Sequence, residues 1–337
     1  MSSLLLERLH RLAALWGPSG REYKVAAALE EMIRPYVDEV RTDAIGNLIA
    51  VKKGAPGGKR VMLTAHMDTP GALALEVSEE GLIQLAPVGD LKVHHLIGQR
   101  VVWGSGVVGV IQHETVDEPK DLAFRKLWCD IGARSREEAL ANVPLGDMCT
   151  LVGELQQMGA DLITGPGLNN RAGCAVLLEV AEHLQGALHE VAFVFATQGA
   201  VGPRGVAPAA YGLQPDAAFV VEMTPSGGLP GGPKVAVRLG EGPALKLKDA
   251  SFVAHWRLSE LVRSVAEAEK IPLQTEINSD VDRTGARAVA AAGYGVPTAA
   301  LDLPARYLGT AGEMVSLRDL MGAADLLMKL LQGSLAF

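Results

Sequence analysis

The sequence predicts an α/β protein interrupted by a β-rich insert. Three observations carry this. Short apolar runs of buried-strand type recur at residues 60–65, 191–197, 217–221 and 298–303, separated by segments of helical periodicity. Between residues 69 and 164 the pattern changes to short β-type runs broken by glycines. The chain has 337 residues, enough for one large domain or two ordinary ones, each with its own core.

The elements follow in order. Leu5, Leu6, Leu9, Leu12 and Leu15, interrupted by Glu7, Arg8, His10 and Arg11, predict an amphipathic helix near the N-terminus. It lacks the unbroken apolar run of a signal peptide. Ser19 is placed as the N-cap of a helix over residues 21–36, with Val25, Ala26, Leu29, Met32 and Ile33 on one face. Strands at 37–41 and 48–52 flank an Ile45-Gly46-Asn47 turn. The apolar strand at 60–65 delivers His66 and Asp68 to its end, where open α/β sheets place their sites. Strands at 82–85, 100–103 and 107–111 belong to the insert. Helices at 172–184, 258–269 and 317–332 complete the second α/β stretch. The domains expected are therefore a peptidase-like α/β unit of residues 1–68 and 165–337, and an inserted β-rich unit of residues 69–164.

Composition narrows the function. The 31 basic residues are outnumbered by 39 acidic ones, and no basic run occurs, so nucleic acid and anionic membranes are not expected partners. No stretch approaches the roughly 20 apolar residues that span a bilayer, and a cytoplasmic address is expected. Cys129, Cys149 and Cys174 sit in apolar surroundings without a Cys-x-x-Cys pair and read as reduced core residues. Gly104-Ser105-Gly106-Val107-Val108-Gly109 has the letters of a dinucleotide fingerprint, yet a second β run follows it, which makes it a hairpin turn. His113-Glu114 begins like a zincin helix but lacks the second histidine. His94 and His95 would point to opposite faces of a strand, and a surface or turn position suits them better.

Several further segments carry a resemblance. They are Gly17-Pro18-Ser19-Gly20, the run from Thr42 to Leu48, Ala65-His66-Met67-Asp68, Cys129-Asp130-Ile131-Gly132-Ala133, Asn170-Arg171-Ala172-Gly173-Cys174, Gly240-Glu241-Gly242-Pro243, Gly295-Val296-Pro297-Thr298 and Arg306-Tyr307. In this order and spacing, across nearly the whole chain, the sequence resembles the tetrahedral (glutamyl) aminopeptidases, a family of two-zinc or two-cobalt peptidases. Some of its relatives carry cellulase or endoglucanase names. The resemblance implies an αβα sandwich with a mixed central sheet, an inserted β-barrel-like domain used in assembly, and oligomers from dimer to dodecamer. It also implies two metal ions and a glutamate base that activate a water against the peptide carbonyl.

Carried over residue by residue, the resemblance gives His66 as first-metal ligand and Asp68 as the carboxylate that orients its ring. The bridging aspartate is replaced by Asn169. The base glutamate is replaced by Gly199 and the adjacent second-metal glutamate by Ala200. The remaining first-metal carboxylate is Glu222, the second-metal histidine is replaced by Gly309, and a further aspartate near the site by Gly285. The second metal position keeps no more than an amide, and the first keeps His66, Glu222 and the Asn169 oxygen. Zinc sites ordinarily take about four ligands, so we expect no ion, or one weakly held. Without a base, turnover falls by roughly 10²–10⁴. The residues of suitable type to compensate are His94, His95 and Asp282.

The expected function is that of a catalytically impaired aminopeptidase homologue acting as a binding or assembly subunit. It would take a peptide or amino-acid ligand and associate with itself or with an active relative. The alternative is a metal-dependent aminopeptidase or hydrolase with a single-metal or altered site. Glycoside hydrolysis finds no suitably placed carboxylate pair and few aromatic residues. The resemblance also puts a cis peptide bond at Asn169-Asn170, and with the metal function gone we expect it to have relaxed.

Overall fold

The computed structural model describes residues 2–279 and 284–337. Helices α1 (Ser2–Ala13) and α2 (Tyr23–Ile33) lead into strands β1 (Glu39–Thr42), β2 (Leu48–Lys52) and β3 (Arg60–His66). Next come β4 (Gly71–Val77), β5 (Ile83–Val88), β6 (Arg100–Trp103), β7 (Val108–His113), β8 (Leu127–Asp130), α3 (Arg136–Asn142) and β9 (Met148–Leu151). The six strands β4 to β9 close into an antiparallel barrel in the order β4-β5-β8-β7-β6-β9, around Trp103, Leu85, Ile111, Cys129 and Cys149. Closure leaves no strand edge unpaired. The glycine-rich segment after Trp103 is the β6–β7 hairpin turn expected of it: Gly106 N–H donates to the Trp103 carbonyl and Trp103 N–H to that of Val107.

The chain then returns to the large sheet through β10 (Gln156–Met158) and β11 (Leu162–Gly165). It continues with α4 (Leu168–His183), β12 (Glu190–Ala196), α5 (Val206–Leu213), β13 (Ala217–Pro225), β14 (Ala244–Lys248), α6 (Trp256–Ala268), β15 (Gln274–Ile277), α7 (Gly285–Ala290), β16 (Thr298–Arg306), β17 (Glu313–Ser316) and α8 (Leu317–Gln332). The sheet runs β1-β2-β12-β3-β13-β16-β17-β11-β10, with β14 on β16 and β15 on β14. Its centre, β12-β3-β13-β16, is parallel and its flanks antiparallel, so it is a mixed sheet with helices on both faces.

Strand alternation explains why the central runs are apolar throughout. Val61, Leu63, Val191, Phe193, Phe195, Phe219 and Val221 face the core under α1, α2, α4, α6 and α8. Met62, Ala192, Val194, Ala218 and Val220 face the second core under α5 and α7. A strand covered on both sides has no polar face to show. Leu5, Leu9 and Leu12 of α1 are buried, as expected of an amphipathic helix.

Two local expectations differ from the structure. Ser19 does not cap α2, whose N-cap is Glu22; its hydroxyl instead donates to Asp68 Oδ2 at 2.6 Å. The Asn169-Asn170 bond is cis, where a relaxed bond was expected. Among the described helices, none is long and apolar enough to cross a membrane.

Candidate functional site

The parallel register brings the C-terminal ends of β3, β12 and β13 together, with Ala196 opposite His66. His66 therefore emerges beside the loop after β12, which carries Gln198, Gly199 and Ala200. Glu222 projects from β13 into the same small cavity, which His66, Gly199, Glu222 and Gly285 line.

The loop after β12 is held by the turn after β1. Asp43 Oδ1 accepts from the N–H groups of Ile45, Gly46 and Asn47. The Asn47 side chain then accepts from Thr197 N–H at 2.9 Å and donates to the Gly205 carbonyl at 2.8 Å. Glu22 holds the same loop from the other side, accepting from Gln198 N–H at 2.9 Å, with Gln198 in the left-handed region at φ 57°.

Asp68 is fully buried and saturated. It accepts from Ser19 Oγ, from Gly199 N–H at 2.7 Å and from Ala200 N–H at 2.9 Å, and its Oδ1 lies 3.2 Å from His66 Nδ1. Burial alone would raise its pKa, but the His66 ring and the Ser19 and Ala200 donors outweigh burial and hold it below the ordinary carboxylate value. Burial likewise disfavours the His66 imidazolium, yet Asp68, with the charge of Glu222, raises its pKa above the usual histidine value. The pair fixes which ring nitrogen faces Asp68 and leaves Nε2 for the cavity.

Glu222 accepts from Gly285 N–H at 2.6 Å. Burial pushes its pKa up to about 7, against the charge of His66 and the Gly285 donor. Behind it, Lys246 and Asp302 form a fully buried ion pair at 2.8 Å, with Glu276 at 3.6 Å from the same ammonium and hydrogen-bonded to Thr224.

Gly199 and Gly285 share the cavity of His66 and Glu222, whereas Asn169 and Gly309 line another. Gly199 has no side chain, and a Cβ placed on it would stand 2.3 Å from Cγ of His66. The imidazole thus occupies the space through which a side chain at 199 would leave the backbone. Ala200 offers a methyl group, and its N–H is committed to Asp68. Gly309 sits at φ 74°, in the region that favours glycine. Asn169 lines a second cavity together with Leu91, Gly309, Thr310 and Glu313.

Glu313, at the start of β17, was not singled out from the sequence. It accepts from Asn169 N–H at 3.0 Å and Gly309 N–H at 2.9 Å, and burial pushes its pKa up to about 7 against those donors. The signal for it was a glutamate at the head of the apolar run Met314-Val315.

Arg171 is also fully buried. Its guanidinium donates to the carbonyls of Leu12 and Leu15 at 2.7 and 2.5 Å and reaches those of Met67 and Gly17. It thereby ties α1 and the Gly17 turn to the strand that carries His66. His94 and His95 lie in a turn, their rings in edge contact at 4.2 Å. A turn position is the one expected of them. Asp282 lies outside the described residues.

The donor chemistry fits two divalent ions poorly. The retained groups are Nε2 of His66 and the Glu222 carboxylate, with Asn169 and Glu313 on the neighbouring cavity. Ala200, Gly199 and Gly309 contribute no side-chain donor. Among the described residues, three His or carboxylate ligand atoms come within 4.8 Å of one another at Glu179, Glu182 and His183 on α4, away from this site. There Arg8 already pairs with both glutamates.

A mixed α/β sandwich with a closed inserted barrel, and a His-x-Asp pair at the end of a central parallel strand, define a peptidase-type architecture. The M42 glutamyl aminopeptidase family model matches residues 46–326, and the chain belongs to that family. It is 36% identical over 326 residues to a provisionally named aminopeptidase of Acetivibrio thermocellus, covering 96% of this chain and 98% of that one. The solved structure of an aminopeptidase from the archaeon Desulfurococcus kamchatkensis superposes with a TM-score of 0.95 at 31% identity, over 99% of this chain and 96% of that one. A Pyrococcus horikoshii TET peptidase, described as assembling into a tetrahedron or a large octahedral shell, superposes with a TM-score of 0.86 at 28% identity, over 97% and 99%.

Proposed function

We propose that this chain is a member of its family that has given up efficient peptide hydrolysis while keeping the fold and its barrel, and that it serves as a binding or assembly subunit. The observation that carries the reading is the His66 ring standing 2.3 Å from the Cβ position of Gly199. The base is missing, and its space is taken. A glutamate side chain there would have to push aside the one imidazole the site retains.

The other substitutions support the same reading. Asn169 brings an amide where the resemblance puts a bridging carboxylate, and Ala200 and Gly309 bring nothing to a second ion. A divalent ion, when bound, would supply charge stabilisation and an activated water. His66 and Glu222, with the Asn169 oxygen, are the residues that would hold it, and so few donors would hold at most one ion weakly. What this chain's own residues do is orient the His66 ring through Asp68 and present Glu222 and Glu313 as buried carboxyls.

The reading includes the division into a peptidase-like unit of residues 1–68 and 165–337 and an inserted unit of residues 69–164. Its second junction moves from the one expected: β10 pairs with β11 and β11 with β17, so residues 156–164 go with the large sheet and the inserted unit ends before Gln156. By likeness to the Pyrococcus horikoshii peptidase, the chain forms a homo-oligomer, from dimer to dodecamer, and can co-assemble with an active relative. Its ligand is a peptide or free amino acid.

One observation favours a second reading, a hydrolase with an altered or single-metal site. Glu313 is a buried carboxyl beside Asn169 and Gly309 and could take up the base role at a new position. Release from N-terminal amino-acid amides, measured with zinc or cobalt added, separates the two. The first reading expects release roughly 10²–10⁴ below an active relative, unchanged in Glu313→Gln. Metal-dependent release abolished by Glu313→Gln would establish the second.

A further inference from the structure

The segment between α1 and α2 touches both units of the chain. On one side it meets the barrel, at the turn that leads from α3 into β9. Arg21 Nη1 donates to Asp147 Oδ1 and Nη2 to the Gly146 carbonyl, both at 2.8 Å, and Trp16 Nε1 donates to the Met148 carbonyl at 3.1 Å. This seat is close-packed. A Cβ placed on Gly104, in the β6–β7 turn, would stand 2.7 Å from Asp147 Oδ1 and 3.1 Å from the Trp16 ring, and both Trp16 and Asp147 are buried.

On its other side the same segment meets the site. Ser19 Oγ donates to Asp68 Oδ2, and Glu22 Oε1 accepts from Gln198 N–H at 2.9 Å and from Gly20 N–H at 2.8 Å. With the N–H groups of Gly199 and Ala200 on Asp68, three successive amides of the site loop are held by two carboxylates. Residues 19–22 supply one of them and brace the other. Gln198 sits at φ 57°, a conformation that costs a non-glycine residue free energy and persists where its surroundings fix it. Little slack separates the two sides: Arg21 N–H donates to the Pro18 carbonyl, Thr69 N–H donates to that of Gly17, and Pro18 forms a β-bridge with Thr69.

We propose that residues 16–22 couple the seating of the barrel to the order of the site loop. Arg21 and Trp16 are positioning residues, which act through Ser19 on Asp68 and through Glu22 on Gln198. A displacement of the 146–148 turn therefore reaches residues 198–200 through one short, pinned segment. The coupling is independent of whether the site holds metal or turns over peptides. It is read on backbone amides, whereas the amide-release assay reads chemistry, so either can fail without the other.

Hydrogen exchange on the full-length chain, with a chelator present, tests it through a peptic fragment covering residues 197–203. Arg21→Ala removes the ion pair from the segment, and Asp147→Ala removes it from the barrel. The Arg21 side chain is 40% exposed, so each variant should speed exchange in 197–203 by roughly 3- to 10-fold, the scale of one charged hydrogen bond weakened by solvent. Fragments from β3, β12 and β13 should be unchanged. The double variant should exchange no faster than the faster single one, because both remove the same interaction. Arg21→Lys, which keeps the charge but loses the fork, should fall between Arg21→Ala and the unaltered chain. Exchange in 197–203 unmoved by both single variants would overturn the coupling. A rise of equal size across β3, β12 and β13 would overturn it too, since that is general loosening and not transmission through one segment.

Discussion

The two halves of the site have fared differently. Around His66 and Asp68, every polar atom of the buried aspartate has a partner, the ring orientation is fixed, and the supporting residues Ser19, Glu22, Asn47 and Arg171 come from three separate stretches of chain. Around 199, 200 and 309 only backbone remains, and that backbone has been put to other use: Gly199 and Ala200 N–H serve Asp68, and Gly309 N–H serves Glu313. On the proposed reading, the half that organises the fold is kept, while the half that only chemistry needs is not. The difference indicates that Asp68 is a structural keystone as well as an inherited site residue.

The largest expected effect tests that. Asp68→Asn would set an amide N–H₂ against backbone donors in a fully buried position and should cost on the order of 3–5 kcal/mol, read as the shift in chemical denaturation. A cost below about 1 kcal/mol, the scale of a single ordinary hydrogen bond, would mean that the retained half is not structural. Gly199→Glu should be next. It overpacks against His66 and should destabilise by ~1–3 kcal/mol, even though a glutamate is what the resemblance puts there. A stable variant with His66 unmoved would remove the argument that the base's space is filled.

Acid–base behaviour sharpens the comparison from the retained side. Glu222 has its pKa raised by burial to about 7, so its neutral form is the one the fold favours. The unfolded chain loses this proton near its ordinary value, about 4.5. Stability is therefore fully supported at low pH and is lost as pH rises from about 4.5 through 7. His66, also raised, acts in the same sense, because its contribution is present below the ordinary histidine value and lost as pH rises through the folded one. Thermal melts from pH 5 to pH 8 should show declining stability. Glu222→Gln should flatten part of that slope, worth on the order of 3 kcal/mol at most at ~1.4 kcal/mol per unit. An unchanged slope in the variant would count against the buried placement of Glu222. The smallest effect belongs to the stripped side: Ala200→Glu should change stability within about ±1 kcal/mol, as a substitution away from the packed core. A cost as large as that of Asp68→Asn would erase the contrast.

Much of this was legible in the sequence, for physical reasons that differ by element. Strands β3, β12, β13 and β16 were readable because they are covered on both faces and so appear as unbroken apolar runs. Helices α5 and α7 were not: α5 is eight residues long and contains Pro208 and Gly212, and α7 has six residues beginning at Gly285. Their helicity comes from packing over the sheet and not from their own propensity. Strand β17 is four residues long, which is why Glu313 at its head went unnoticed. Ser19 shows how a correct chemical signal can receive the wrong partner. It is a good cap by type, but the buried aspartate across the loop made the better acceptor.

The central claim is that the side chains left at this site cannot hold a pair of dications. Elemental analysis of the purified chain after loading with excess zinc or cobalt and removal of free ions tests it most directly. The account predicts at most one ion per chain, lost on mild dialysis. Two tightly held ions per chain would contradict it.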